Sequence, residues 1–329
     1  MKRVMLFATI LTSFALVLAA CSSAATQAPA DTQAVAQPTS SSGEEQLFVF
    51  LPKGLDNPYW DNCRKGMEDE AAKKGVKAEF LGPEVSDAAK QVSIIESVIA
   101  RKPVAIAVSP NDPATVKDVI FKATAAGIKV ITWDSDAPDS ERLMYIGTDN
   151  TAAGATAADT LAKILDGKGK VAILTGSLTA LNAQQRVQGF TDEMKKYPDI
   201  EIVAVEPTED DATKSLSIAE SLLQAHPDLD AFYGVTGNGV PGAAGAVKQA
   251  NLGGQVHVVG FDVTPQAQEL MKAGCVDALI SQRPYGMTAQ ALDIMIDLAN
   301  GKPVPAVNID TGVEIVYPDD LDTYLTTNH

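Results

Sequence analysis

Lys129-Val130-Ile131-Thr132-Trp133-Asp134-Ser135-Asp136 decides the fold of this chain. Gly127 stands just before it as a helix stop. Residues 129–132 form a short, largely apolar, β-branched run, the pattern of a parallel strand buried on both faces. The run ends abruptly in an aromatic and two carboxylates. Ligands of open α/β sheets bind outside the carboxyl ends of the strands. An indole beside a carboxylate at such an end offers an apolar face and a hydrogen-bond acceptor, which suits a polyhydroxylated ring. The plain alternative is a capped strand in which Asp134 or Asp136 opens a turn.

Working outward, the same alternation repeats in both directions. Before the stretch, strands over 46–51, 76–81 and 104–108 alternate with helices over 58–74, 86–101 and 113–126. Gly75 ends the first helix, Val92, Ile95, Val98 and Ile99 share one face of the second, and Pro113 opens the third at its first turn. A second run follows, with strands over 143–146, 170–174, 200–205, 231–233, 256–261 and 276–281. Helices over 151–165, 182–196, 213–224, 241–250, 265–272 and 284–300 separate and follow them, and a last strand spans 313–317. Successive βα steps mean parallel sheets with helices on both faces. There is no solenoid period; the repetition is at the scale of a domain. The expected class is α/β, with two doubly wound, Rossmann-like parallel-sheet lobes and no long linker. A cleft between such lobes can close by hinge motion.

The 329 residues suffice for two domains, and the formal charge is −16. Without Lys2 and Arg3 it would be 26 − 2 = 24 basic against 42 acidic residues, or −18. Nucleic acid binding needs clustered Lys and Arg, so that partner is excluded. Lys2 and Arg3 form a basic start, residues 4–18 an apolar run too short for a membrane span, and Leu18-Ala19-Ala20-Cys21 follows. This resembles a bacterial lipobox. It implies a signal peptide over 1–20 and a lipidated Cys21 as the mature N-terminus, so that the membrane is reached only through the lipid. Residues 21–42, rich in Ala, Ser, Thr, Gln and Pro, read as a flexible tether. Export would permit a disulfide, but Cys63 and Cys275 fall on different lobes and are expected as two buried thiols.

From about Gln46 to Tyr317 the chain resembles the periplasmic sugar-binding proteins of ABC transporters, of the ribose-binding type. Five strand-end motifs carry the resemblance. In Leu55-Asp56-Asn57-Pro58-Tyr59-Trp60 it implies that Asn57 bonds a sugar hydroxyl and that Tyr59 and Trp60 sandwich the ring. In Thr132-Trp133-Asp134-Ser135-Asp136 the sugar-binding Asp matches Asp134, with Trp133 beside it. Ser135 stands where the common relatives carry Arg, a departure at one bidentate hydroxyl clamp. In Arg186-Val187-Gln188-Gly189-Phe190 the oxygen-binding Arg matches Arg186, whose fork of donors suits paired oxygens; the plain alternative is a surface Arg paired with Asp192 or Glu193. In Val259-Gly260-Phe261-Asp262 the acceptor matches Asp262, and in Leu279-Ile280-Ser281-Gln282 the amide beside the hinge matches Gln282. The run Gly234-Val235-Thr236-Gly237-Asn238 supplies Asn238 as a sixth candidate. Lys53, the Thr132–Asp136 run and Asp210-Asp211-Ala212-Thr213-Lys214-Ser215 also look like the rhamnose- and autoinducer-2-binding branch, in which the loop near Asn182 faces the ligand.

The resemblance implies an extracytoplasmic, membrane-anchored monomer without cofactor or metal. It would capture a monosaccharide and deliver it to an ABC permease, and it could also serve a chemoreceptor; autoinducer-2 is the alternative ligand. Three crossings between lobes are expected, near Gly147, near Gln282-Arg283-Pro284 and near Asp310-Thr311. The first lobe would then be 43–147 with 283–310, and the second 148–282 with 311–329. A secreted carbohydrate-active enzyme is the competing class. His226 and His257 neighbour no nucleophile motif, no His and Cys spacing suits zinc, and the Gly-rich run at 234–239 lacks both P-loop and dinucleotide signatures. A transcription regulator would need a basic helix-turn-helix where the leader and tether stand.

Overall fold

The computed structural model describes residues 46–327. The apolar leader, Cys21, the tether and His329 lie outside the described residues. Chain order runs β1 (Leu47–Leu51), α1 (Tyr59–Lys74), β2 (Lys77–Phe80), α2 (Ala88–Ala100), β3 (Ala105–Val108), α3 (Pro113–Ala125), β4 (Lys129–Trp133) and β5 (Tyr145–Gly147). It continues with α4 (Asn150–Ile164), β6 (Lys168–Thr175), α5 (Leu181–Met194), β7 (Asp199–Pro207), α6 (Ala212–Ala225), β8 (Ala231–Gly234), α7 (Gly239–Gln249), β9 (His257–Phe261), α8 (Pro265–Lys272) and β10 (Ala278–Ser281). Then come α9 (Pro284–Ala299), β11 (Asn308–Asp310), β12 (Glu314–Val316), a 3-10 turn (Pro318–Asp320) and α10 (Leu321–Thr327).

Two six-stranded sheets result, ordered β11-β5-β4-β3-β1-β2 and β12-β10-β9-β8-β6-β7. Every pairing is parallel except β10 with β12. The period of two along each strand builds a core on each face. In β1, Phe48 and Phe50 point to the α1/α9 side, while Val49 and Leu51 point to the α2/α3 side. In β9, Val259 and Phe261 meet α4 and α5, while Val258 faces the core of α6, α7 and α8. Each lobe is therefore a sheet between two helical layers, the doubly wound α/β class.

The strand expected at 143–146 falls within the expected first lobe and is the fifth strand of the first sheet, with Thr132 opposite Tyr145 and Trp133 opposite Ile146. Two details depart from the sequence reading. The three-residue β11 pairs with β5 and was not anticipated; it is too short to show a period and follows Pro303 and Pro305. The final helix α10 was also missed. Cys63 and Cys275 are free, buried thiols.

The chain passes between sheets three times. β5 is in the first sheet, but α4 packs on α5 and under β9 of the second. β10 ends in the second sheet, and α9 returns to pack on α1, β3 and β4. β11 then pairs in the first sheet and β12 in the second. These crossings put the carboxyl ends of both sheets against one cleft.

Candidate functional site

Asp134 shows how the backbone aims a side chain at the cleft. Its φ of 60° is left-handed, a conformation that Asp tolerates better than most residues. The turn folds Ser135 back, so that its N–H donates to Trp133 O at 2.6 Å. Asp134 is left at the strand end with its carboxylate in the cleft. Ser109, which follows β3, donates its hydroxyl to Asp134 Oδ2 at 2.7 Å. Lys53, which follows β1, lies 3.4 Å from the same oxygen. Gln91 of α2 donates to the carbonyls of Pro52 and Ser109 at 2.9 and 2.8 Å, tying the two strand ends together.

The second lobe presents a matching set. Arg186 on α5 is 2% exposed. Its Nε donates to Asn150 Oδ1 at 2.8 Å, its Nη1 to Val235 O at 3.1 Å, and the guanidinium lies 3.9 Å over the Phe261 ring. Its Nη2 is buried and has no partner in the protein. Asp262 follows β9 with φ 72°, and Gln282 Nε2 donates to its Oδ1 at 2.9 Å. Gln282 Oε1 in turn accepts from Thr148 Oγ1 at 3.0 Å, so the first two crossings are bonded to each other and to the site. Burial pushes the Asp262 carboxyl up to about 6, against the lowering by Arg186 and Gln282.

Between the lobes lies a space of about 440 Å³, lined by Lys53, Asn57, Tyr59, Trp60, Ser86, Asp134, Asn182, Arg186, Asp210, Thr236, Gly237, Asp262 and Gln282, with Ala180 and Ala183. The lobes touch across it. Lys53 Nζ donates to Asn182 Oδ1 at 2.8 Å, and Thr179 Oγ1 to Asn111 O at 3.4 Å. A Cβ on Gly237 would sit 3.1 Å from both Asn57 Oδ1 and Asp262 Oδ2. The conformation is thus a closed one. Tyr59 and Trp60 meet edge to face at 4.9 Å. Burial holds the Tyr59 phenol well above its ordinary value, so it keeps its proton.

Nine of the twelve expected ligand residues line this space: Lys53, Asn57, Tyr59, Trp60, Asp134, Asn182, Arg186, Asp262 and Gln282. Three do not. Trp133 is fully buried, shares the face of Ile131, meets Phe50, Trp60 and Phe80 edge to face, and donates Nε1–H to Ala107 O at 3.2 Å. It is a core residue, because it stands two positions along the strand from Ile131 and so shares its face. Ser135 is fully buried behind the Asp134 turn. Asn238 stands at the start of α7 and donates its amide to Asp210 O, leaving Thr236 and Gly237 at the cleft. Asp136 also stays out, clamped by Arg142 Nε and Nη2 at 2.6 and 2.7 Å. The surface alternative for Arg186 fails, since Asp192 takes Lys195 and Gln188 instead. Ser86, Asp210, Thr236 and Gly237 also line the cleft; Asp210 opens the 210–215 run and Thr236 and Gly237 stand just before Asn238 in the 234–238 run, while the one signal for Ser86 is a position beyond a strand. Among the described residues no group of His, Cys, Asp and Glu could hold a metal ion, and no helix is long and apolar enough to cross a membrane.

A profile of the family described as "Periplasmic binding protein domain" matches residues 48–303. The D-allose-binding periplasmic protein of Escherichia coli K12 is 31% identical over 269 residues, covering 78% of this chain and 86% of its own length. The ribose import binding protein RbsB of Bacillus subtilis 168 is 29% identical over 270 residues, covering 82% and 87%. Among solved structures, an ABC transporter solute binding protein from Burkholderia graminis C4D1M in complex with D-arabinose superposes with a TM-score of 0.82 at 38% identity, covering 85% of this chain and 98% of that one. These relatives are binding components of transporters and not enzymes, and they work outside the cytoplasm. With its two doubly wound lobes and strand-end cleft, the chain belongs to the periplasmic binding protein family.

Proposed function

We propose that this protein captures a neutral monosaccharide between its lobes and presents it to the permease of an ABC importer. One observation carries the reading. Arg186, which lines the cleft, has its Nη2 buried and without a hydrogen-bond partner in the protein. A buried donor left unmade costs about 1–3 kcal/mol, which a hydroxylated ring filling the cleft would recover. Tyr59 and Trp60 supply an apolar face for such a ring, and Asp134 and Asp262 the acceptors. The names of the relatives, which bind ribose, allose or arabinose, support the sugar class. Lys53, Asn57, Asn182 and Gln282 complete the proposed contact set. Lobes of 43–147 with 283–310 and 148–282 with 311–329 are the moving bodies of this reading. The protein acts as a monomer held by lipidated Cys21, and its closed, loaded form is also what a chemoreceptor would read.

Calorimetry and melting curves with D-ribose, D-allose, D-arabinose, D-xylose, D-glucose, D-galactose and autoinducer-2 test the ligand. At least one sugar is expected to bind; at 100 times its Kd it would stabilise the fold by about 2.7 kcal/mol. Binding of autoinducer-2 alone, or of nothing in the panel, would overturn the reading. For the anchor, Cys21→Ser should move the protein from the membrane fraction to the soluble one in its host. A wild-type protein that is already soluble contradicts lipidation.

A further inference from the structure

The last helix, α10, lines no part of the sugar cleft, yet it is bonded to the hinge. β12 brings the chain back beside β10, with Glu314 opposite Ser281. α10 then lies against the core of α6, α7 and α8 in the second lobe. Leu321 is buried in that core, and Tyr324 and Leu325 pack on it. From there Tyr324 reaches the second crossing. Its Oη lies 2.6 Å from Ser281 Oγ, and Ser281 Oγ donates to Gln282 O at 2.8 Å. A serine hydroxyl has one proton to give. Ser281 gives it to Gln282 O, so the phenol is the donor of the pair. Burial raises the pKa of that phenol, which keeps its proton in place.

Beyond Ser281 the links are those of the site. Gln282 donates to Asp262 Oδ1 at 2.9 Å and accepts from Thr148 Oγ1 at 3.0 Å. A run of hydrogen bonds thus joins the C-terminal helix, through Ser281 and Gln282, to a cleft carboxylate and to the first crossing. Ser281 and Gln282 are 2% and 3% exposed, so water does not compete for the middle of the run. Its place in the chain gives it leverage. β10 ends at Ser281 and α9 begins at Pro284, so only Gln282 and Arg283 connect the second sheet to a helix of the first lobe. Two residues must absorb whatever bending occurs there. Arg283 has φ −115° and ψ 63°, and no side chain caps α9 at that point. Tyr324 also stands at the seam between the lobes. With Pro58, Asn62 and Pro284, among others, it lines a space of about 320 Å³ that widens or narrows as the lobes turn.

We infer that α10 is a clamp on the second crossing, with Tyr324 as a positioning residue that acts through Ser281 to hold Gln282 where its amide reaches Asp262. The inference rests on the monosaccharide reading, in which Gln282 is a contact residue. A group already held in its bound position loses less freedom when the ligand arrives, and affinity rises accordingly. Because the clamp lies outside the cleft, it changes how tightly a sugar is held and not which sugar is held.

The test uses the full mature protein and the variants Tyr324→Phe, Ser281→Ala and the two combined. Calorimetry is run with whichever of D-ribose, D-allose, D-arabinose, D-xylose, D-glucose and D-galactose wild type binds most tightly. Tyr324→Phe should weaken binding at least about threefold, within the range of one ordinary hydrogen bond. Ser281→Ala breaks the run at two links and should weaken it as much or more. The double variant should bind like Ser281→Ala, because both changes cut one run. Thr326→Ala is the control: it removes an exposed hydroxyl of the same helix that donates to Thr323 O, and it should leave affinity unchanged. Nitrogen relaxation of the Gln282 side-chain amide reads the clamp without any sugar, and its order parameter should be lower in unliganded Tyr324→Phe than in wild type. A lower melting temperature in Tyr324→Phe with unchanged sugar affinity would make the tyrosine merely structural and overturn the inference. So would single effects that multiply in the double variant, a loss in Thr326→Ala equal to that in Tyr324→Phe, or an equally ordered Gln282 amide in Tyr324→Phe and wild type. If wild type binds none of the sugars, the monosaccharide reading fails, and the Gln282 amide alone decides the clamp.

Discussion

Asp262 carries an energetic cost in the unliganded protein. Its carboxyl is buried, receives one amide bond, and titrates at about 6 against 3.8 for the free side chain. The folded state therefore holds the proton more tightly than the unfolded state does. The resulting stabilisation is complete below about pH 4 and is lost as pH rises through about 6, a difference of roughly 2–3 kcal/mol. Asp262→Asn should accordingly stabilise the unliganded protein at pH 8 and leave it unchanged near pH 4, as read from urea unfolding at both values. An equal effect at both would mean that the carboxyl is not shifted. The same variant should lose most of its sugar affinity, since the ionised acceptor is gone. Trp133 makes the opposite case. It belongs to the aromatic core of the first lobe, with its N–H satisfied by Ala107 O. Trp133→Leu should destabilise the fold by roughly 3 kcal/mol and leave sugar affinity in the folded fraction little changed. Selective loss of affinity at full stability would return Trp133 to the site.

At the scale of the element, α5 matters most, because it carries both Asn182 and Arg186 into the cleft. Its position is set by a close crossing with α4. A Cβ on Gly189 would meet Thr151 O at 2.0 Å, and one on Gly154 would meet Arg186 O at 2.2 Å. Backbone touches backbone there, so no side chain can move aside. Gly189→Ala should push the helices apart, cost about 1–3 kcal/mol, and weaken sugar binding by displacing Arg186. Gly286 on α9 is the control, since nothing lies within 4 Å of its Cβ position. Gly286→Ala should stabilise by roughly 0.5–1 kcal/mol through helix propensity alone. Melting curves and sugar titrations of the two variants separate the cases; similar behaviour of both would discount the crossing.

The whole molecule is two lobes held shut by few direct bonds. Lys53 Nζ reaches Asn182 of the other lobe while lying beside Asp134, and Thr148 reaches Gln282 between two crossings. A sugar that touches both lobes favours this closed state by its differential affinity. Small-angle scattering should show a smaller radius of gyration at sugar saturation than without sugar. Lys53→Met should enlarge the unliganded form, because it removes the cation that bridges Asp134 to Asn182. An identical radius in all three samples would argue for a rigid pair of lobes.

Local chemistry determined the α/β class, the strand ends and most of the site. Buried parallel strands must be apolar and β-branched, and the residue after each strand is the first that can face a ligand, which marks the places of Asp134, Asp262 and Gln282; their matching roles, and Asn57 in the loop before α1, came from the resemblance to the ribose-binding type. Only tertiary structure decided which face each side chain took. Trp133 and Asp134 are adjacent, yet a period of two sends the indole into the core while a left-handed turn sends the carboxylate into the cleft. Asp210, Thr236 and Gly176 are separated by 26 to 60 residues in sequence and meet only because β7, β6 and β8 are neighbours in the sheet. Strand order is a long-range property, and no local pattern in those loops encodes it.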